Sequence, residues 1–233
     1  MLPQIEKLKG IALDLLFPQR CVGCGKEGNL VCASCLHSLP RIMPPICPKC
    51  GKPQTSGILC PGCTGWQTEI DGIRAPFRFD GVIREAVHQL KYNNLRALVI
   101  PLVGFLLDYM EANPVPGQVL VPVPLHPKRL KERGYNQSSL LAYRLGKLID
   151  LPVIDNCLVR TKFVTPQARA STVAERRENV ADAFLCRDRR LQNRDVILID
   201  DVSTSGATLN ACARALKAFG ARSVWGLVLA REI

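Results

Sequence analysis

Apolar residues recur along this chain with two different periods, and the change of period divides it. Ile73 to Phe79 alternates apolar and polar positions as a half-buried strand does, while Gln118 to Val123, Val196 to Ile199 and Ser223 to Leu229 are short apolar runs that read as buried strands. Pro122 has no N–H for a ladder, which places the Gln118–Val123 run at a sheet edge or a strand end. Apolar residues three and four apart predict helices over Val82–Tyr92, Leu95–Ala112, Ser138–Leu148 and Thr208–Phe219, the last closed by Gly220. Strands alternating with helices predict an α/β fold, a mostly parallel sheet flanked by helices on both faces. In such a sheet ligands bind where the carboxyl ends of strands lead into helices.

Before about residue 70 this regularity is absent, and cysteine takes its place. Eight of the 11 cysteines form four Cys-x-x-Cys pairs: Cys21/Cys24, Cys32/Cys35, Cys47/Cys50 and Cys60/Cys63. A two-residue spacer lets both thiolates of a knuckle face one ion, and four thiolates close the tetrahedral shell of a structural zinc, so the pattern predicts two Zn²⁺. Reading the pairs in order gives Cys21/Cys24/Cys32/Cys35 and Cys47/Cys50/Cys60/Cys63; a cross-braced pairing of Cys21/Cys24 with Cys47/Cys50 fits the spacing as well. Cys-x-x-Cys also serves redox chemistry, but an all-cysteine shell keeps no open position for a reaction. The segment has too few large apolar residues for its own core, so the metal is expected to hold it together. The predicted division is 1–68, an N-terminal helix and double zinc ribbon, and 69–233, the α/β domain. Loss of metal is expected to unfold the first while leaving the second able to bind its ligand.

Composition narrows the ligand. Hydrophobic residues make up 47% and charged residues 22% of the 233 positions, a folded rather than a disordered composition, and the formal charge of +11 draws phosphate-bearing partners. The start, MLPQIEKLKGIALDLLF, carries acids and lacks a small-residue cleavage site, so it does not read as a signal peptide. The apolar run Ala97–Leu107 falls well short of the roughly 18 residues of a membrane span. A reduced, cytoplasmic protein is expected, in which cysteines bind metal rather than form disulfides.

The most informative segment is Val196 to Leu209, VILIDDVSTSGATL. An apolar strand leads into Asp200 and Asp201 and then into Thr204, Ser205, Gly206, Ala207 and Thr208 at the start of a helix. Backbone N–H groups at a helix start, with hydroxyls and a glycine that permits close approach, cradle a phosphate. The two carboxylates suit ribose hydroxyls or a water-held Mg²⁺. No Gly-x-x-x-x-Gly-Lys-Ser/Thr loop is present, which disfavours nucleoside triphosphate hydrolysis. A second loop, Val121 to Ser138, carries Lys128, Arg129, Lys131, Arg133 and Asn136, and converging cations at a strand end suit a pyrophosphate; a solvated basic face is the plainer use of the same residues. A third, Arg160 to Phe184, holds Thr165, Gln167, Arg176 and Asn179 with weak periodicity, as in loops that close over a reacting site.

The acid pair and Thr204–Thr208 resemble the 5-phosphoribosyl 1-pyrophosphate (PRPP) motif of type I phosphoribosyltransferases. Together with the cysteine knuckles, Val-Pro-Val-Pro at 121–124, Arg-Gly-Tyr-Asn-Gln at 133–137, Thr-Pro-Gln at 165–167, Glu-Arg-Arg-Glu-Asn-Val at 175–180 and Ala-Phe at 183–184, they make a chain that resembles the ComF family from Leu15 to Arg231. Lys91 also falls where that family has a lysine. Ala168–Arg169–Ala170 departs from the family pattern, in which a glycine-leucine pair is frequent. The resemblance implies a double zinc ribbon joined to a phosphoribosyltransferase-like domain. It implies that Asp200 and Asp201 hold the ribose hydroxyls and Thr204 through Thr208 the 5-phosphate of Mg²⁺–PRPP, and it implies a link to uptake or use of external DNA.

Three functions are compatible with these residues. The chain transfers a phosphoribosyl group to an acceptor, with Arg133, Lys128, Arg129, Gln167 and Arg176 on the leaving pyrophosphate or the closing loop. Or it handles single-stranded DNA or DNA-uptake proteins through its basic face and ribbons, although only 6% of its residues are aromatic stacking platforms. Or it senses PRPP or a nucleotide without turnover. No motif identifies the acceptor or the oligomeric state.

Overall fold

The computed structural model describes residues 19–162, 180 and 182–233. Its centre is a parallel sheet of five strands, β1 (Gly72–Arg74), β2 (Phe77–Arg78), β3 (Val119–Pro122), β6 (Asp195–Ser203) and β7 (Ser223–Arg231). The order is β1-β7-β6-β3, with β2 continuing beyond β1 along β7. Leu120 also bridges to Val153 in parallel, so β3 is flanked on both sides and Pro122 sits at the strand end rather than at a bare edge. A separate antiparallel ribbon pairs β4 (Leu158–Arg160) with β5 (Phe184–Cys186).

Alternation along the central strands explains the double cover. Val196 and Leu198 of β6 pack with Val224 and Val228 of β7 on one face, beneath Leu209, Ala213 and Leu216 of helix α6 (Ala207–Ala218) and the β4–β5 ribbon. Ile197 and Ile199 pack with Leu227 and Leu229 on the other, against α2 (Gly81–Tyr92), α3 (Val99–Ala112) and α5 (Gln137–Ile149). A strand apolar at every position is a strand buried on both sides.

Three elements differ from their expected form. The strand expected over Ile73–Phe79 is broken in two, because Pro76 cannot donate to a ladder; its carbonyl instead accepts from Ile42 N–H at 2.8 Å. The helix expected from Leu95 begins as a 3₁₀ turn, Arg96–Leu98, and becomes α3 only at Val99, with Pro101 in the first turn, where a missing N–H leaves nothing unpaired. Asp200 and Asp201 lie on β6 rather than beyond it, since the ladder to β7 continues through Ser203 opposite Arg231.

The cysteine segment folds as two similar turns around a short helix, α1 (Ala33–His37). Cys21 N–H bonds Lys26 O at 2.9 Å, and Gly25 N–H bonds Cys21 O at 2.8 Å; Cys47 N–H bonds Lys52 O at 2.7 Å, and Gly51 N–H bonds Cys47 O at 2.9 Å. The repeat is therefore structural as well as sequential. The first turn packs through Val22 and Val31 on Val82 of α2 and Phe105 of α3. The second lies on β1, where Ile73 N–H bonds Lys49 O at 2.8 Å.

Candidate functional site

In each cysteine group the four sulfurs lie within 4.8 Å of one another, and the groups are Cys21/Cys24/Cys32/Cys35 and Cys47/Cys50/Cys60/Cys63. The fold thus brings the knuckles together in sequence order, not cross-braced. Cys24 and Cys32 sulfurs stand 3.5 Å apart and Cys50 and Cys60 sulfurs 3.6 Å. Ligands at about 2.3 Å from one tetrahedral ion stand close to this distance from each other, so both donor sets fit Zn²⁺. Backbone N–H groups also point at sulfur, Cys32 N–H to Cys21 Sγ at 3.3 Å and Cys60 N–H to Cys47 Sγ at 3.5 Å, which suits thiolates.

At the carboxyl end of β6 the acid pair meets three other elements. Lys91, at the end of α2, reaches Asp201 Oδ1 at 2.6 Å, with the aspartate side chain only 3% exposed. Ser138 in the first turn of α5 donates to Asp200 Oδ1 at 2.9 Å, and Asp201 N–H donates to the same oxygen at 2.9 Å. Burial first, and then the neighbouring Asp201, push the Asp200 carboxyl up to about 7, against the pull of Lys91 and Ser138. Asp200 is half-buried and Asp201 buried. Asp201 Oδ2 is buried and has no hydrogen-bond partner among the described residues. A buried carboxylate oxygen without a donor has an unmet need that a hydroxyl or water donor would satisfy.

Beyond the acids the chain turns through Thr204 and Ser205 to Gly206, at φ +82°, and enters α6 with no side-chain bond from the N-cap. Ser205 Oγ accepts from Ala207 N–H at 3.3 Å. Gly206 is needed twice: its φ is left-handed, and a Cβ there would stand 3.1 Å from Ile73 Cδ1. The start of α6 is therefore a turn of N–H groups, with Thr204, Ser205 and Thr208 hydroxyls beside it, at the strand end where an anion is expected.

The basic loop after β3 is largely a helix, α4 (Pro127–Arg133), with proline in its first turn and Gly134 at φ 78° closing it. That bracket was legible in the sequence, but the cations drew the reading toward a loop. His126 Nδ1 caps α4 at Lys128 N–H, and Asn136 caps α5 while its Nδ2 donates to Val123 O at 2.9 Å, so both serve the backbone. Lys91, Arg96, Arg129 and Arg133 line a cleft of about 550 Å³ with Tyr92 and Tyr135. Arg133 lies over the Tyr92 ring at 5.4 Å and donates to Gln137. Lys128 and Lys131 are exposed on α4 and do not line it. Gln167 and Arg176, with Thr165 and Asn179, lie outside the described residues.

Two participants escaped the sequence reading. Arg160 on β4 carries a guanidinium pushed down by burial first and then by the charge of Arg129, and it also interacts electrostatically with Asp200. Its place follows from the β4–β5 pairing, which no local motif announces. Ser138 stands one residue past the family-like Arg-Gly-Tyr-Asn-Gln stretch and looked like an ordinary helix residue; only the meeting of α5 with β6 assigns it to Asp200.

Residues 12–64 match the double zinc ribbon domain. A ribbon of this kind followed by a mostly parallel sheet flanked by helices is the class of protein these elements define. Over 98% of its length the chain is 31% identical to competence protein ComFC of Bacillus subtilis, of which it covers 97%, and it belongs to that family. It is also 29% identical to competence protein F of Haemophilus influenzae, with 92% of the chain and 98% of that protein covered. With DNA utilization protein YhgH of Escherichia coli K12 it shares 28% identity, covering 87% and 91%. Among solved structures it is similar to adenine phosphoribosyl transferase from Trypanosoma brucei, at TM-score 0.40 and 12% identity, covering 83% of this chain and 87% of that one. Among the described residues no helix is long and apolar enough to cross a membrane.

Proposed function

We propose that the carboxyl end of the sheet binds a phosphoribosyl ligand, Mg²⁺–PRPP, in a protein that serves the uptake or use of external DNA, the role that its relatives' names carry. The observation that supports this most is the buried, unpartnered Asp201 Oδ2 a few residues ahead of the start of α6, which Gly206 leads at φ +82°. Asp200 and Asp201 hold the ribose hydroxyls, directly or through water on the magnesium ion, whose charge offsets that of the diphosphate when bound. Thr204 through Thr208 hold the 5-phosphate. Arg129 and Arg160, close enough to influence each other, meet the diphosphate, with Arg160 also in the field of Asp200 and with Lys91 and Arg133 lining the same cleft as Arg129.

Transfer to an acceptor breaks the bond between the anomeric carbon and diphosphate oxygen, whose electron pair leaves with the diphosphate, and forms a bond to the acceptor's nucleophile, which loses its proton. Positive charge then builds on the ribose, so the protein contributes mainly fixed charge and position. The test is calorimetric. Arg129→Ala is expected to weaken Mg²⁺–PRPP binding about tenfold or more and ribose 5-phosphate binding much less. Equal losses for both ligands would remove the cation from the diphosphate site.

One observation favours a second ligand for the same face. Four cations line the 550 Å³ cleft, and Tyr92, 66% exposed, offers a ring on which a base can stack. A single DNA strand there would show affinity falling steeply with salt. Competition between PRPP and an oligonucleotide decides whether the two share the cleft.

A further inference from the structure

The two metal sites stand in different relations to the phosphate loop. The first rests on α2 and α3, where the space beside Gly23 is filled by Val82 and the Cys35 sulfur. The second faces the loop across one cleft. Arg231, the last residue of β7, is 1% exposed, and its guanidinium stands between them. On one side it donates to Ser203 Oγ, its register partner on β6, one residue ahead of Thr204. On the other it lines one cleft with Cys50, Cys60 and Cys63, whose charge acts on it, and its buried Nε has no hydrogen-bond partner among the described residues. A buried guanidinium needs negative charge beside it, and four thiolates around one Zn²⁺ leave a net charge of about −2.

Other contacts follow the same route. A Cβ on Gly206 would stand 3.6 Å from the Trp66 ring and 3.8 Å from an Arg231 terminal nitrogen. Trp66 in turn packs against Cys47, Cys50, Cys60 and Cys63. Gly51, directly after the Cys47/Cys50 knuckle at φ +73°, lies so close to β1 that a Cβ would stand 2.4 Å from Ile73 O, and Ile73 is the residue against Gly206. A cleft of about 440 Å³ is walled by Cys60, Cys63 and Trp66 on the ribbon side and by Thr204 and Ser205 on the loop side.

We propose that the second tetrathiolate site, acting through Arg231 and Trp66, positions the phosphate loop, and that the first site does not. Arg231 is a positioning residue in this account. The proposal rests on the phosphoribosyl reading for its ligand but not for its geometry. It also revises the expectation that the ribbon unfolds without consequence for the Asp200 loop.

The experiment compares amide hydrogen exchange over Ser203–Leu209 in the full chain, with the amides of Ile197–Ile199 as internal reference, and ribose 5-phosphate binding by calorimetry. Cys60→Ser, retaining one zinc, is expected to speed loop exchange and weaken ribose 5-phosphate by about tenfold, within the usual range of coupling between sites. Cys32→Ser, also retaining one zinc, is expected to change neither by more than about twofold. Arg231→Met keeps both zinc ions and is expected to loosen the loop as Cys60→Ser does, with Arg231→Lys recovering part of the loss. Equal responses to Cys60→Ser and Cys32→Ser, or an unchanged loop in Arg231→Met, would overturn the proposal, and Arg231→Met decides it alone if Cys60→Ser does not fold. A wild-type chain that binds no ribose 5-phosphate would sink the phosphoribosyl reading, while the exchange comparison would still decide the coupling.

Discussion

Asp200 and Lys91 set the behaviour of the site at the scale of single residues. Asp200 has its folded pKa raised from 3.8 to about 7, chiefly by burial, with Asp201, Lys91, Ser138, Arg160 and Cys212 around it. In the proposed site it would accept from ribose hydroxyls or metal-bound water as a carboxylate, so phosphoribosyl affinity is expected to climb between about pH 6 and 8 and level off above; a titration by calorimetry at three pH values checks it, and an affinity flat over that range would remove Asp200 from the site. The sign for stability is opposite. A raised carboxyl binds more protons folded than unfolded, so its contribution is complete below 3.8 and is lost as pH rises through 7. Asp200→Asn is therefore expected to weaken ligand binding yet raise the unfolding midpoint at pH 8 by about 2–4 °C for each kcal/mol recovered. Lys91→Met leaves the Asp201 carboxylate, 3% exposed, without its cation, and is expected to cost about 2 kcal/mol of stability in urea unfolding. The acid pair was legible because it stands at the end of an apolar strand. Arg160 was not, because its neighbours come from β4, β5 and α4, which meet only in three dimensions.

At the scale of elements, the loop from β6 into α6 depends on one backbone conformation. Gly206→Ala places a Cβ at φ +82° and against Ile73 Cδ1 at 3.1 Å. It is expected to destabilise the chain by about 1–2 kcal/mol and to weaken ribose 5-phosphate more than magnesium-dependent contacts to the acids. An alanine variant with wild-type affinity would show that the turn is not the phosphate cradle. Periodicity located α2, α5, α6 and the strands β3, β6 and β7 because their apolar positions follow from burial on two faces. It lost the break at Pro76, since Ala75 and Pro76 keep the apolar count of a strand while removing its donor. It lost α4 because that helix buries no side chain, so only Pro127 and Gly134 mark its ends. The short β4 and β5 strands carry three residues each and no period long enough to read.

For the whole molecule, cysteine spacing revealed two metal sites but not where they dock, because docking depends on Gly23 against Val82 and on Gly51 against Ile73, contacts between distant parts of the chain. The formal charge of +11 excludes the thiolates. With two zinc ions bound, the two tetrathiolate sites carry a charge of about −4 at the ribbon, so the positive charge of the remainder exceeds the formal count. The function of the molecule turns on the phosphoribosyl site proposed at Asp200, Asp201 and the start of α6. Its most direct test is calorimetry of PRPP with Mg²⁺ against the zinc-loaded chain and against an Asp200→Asn, Asp201→Asn double variant of equal zinc content. Saturable binding by the wild type and at least about a hundredfold loss in the variant are expected. Binding that survives in the variant, or none by the folded wild type, would contradict it.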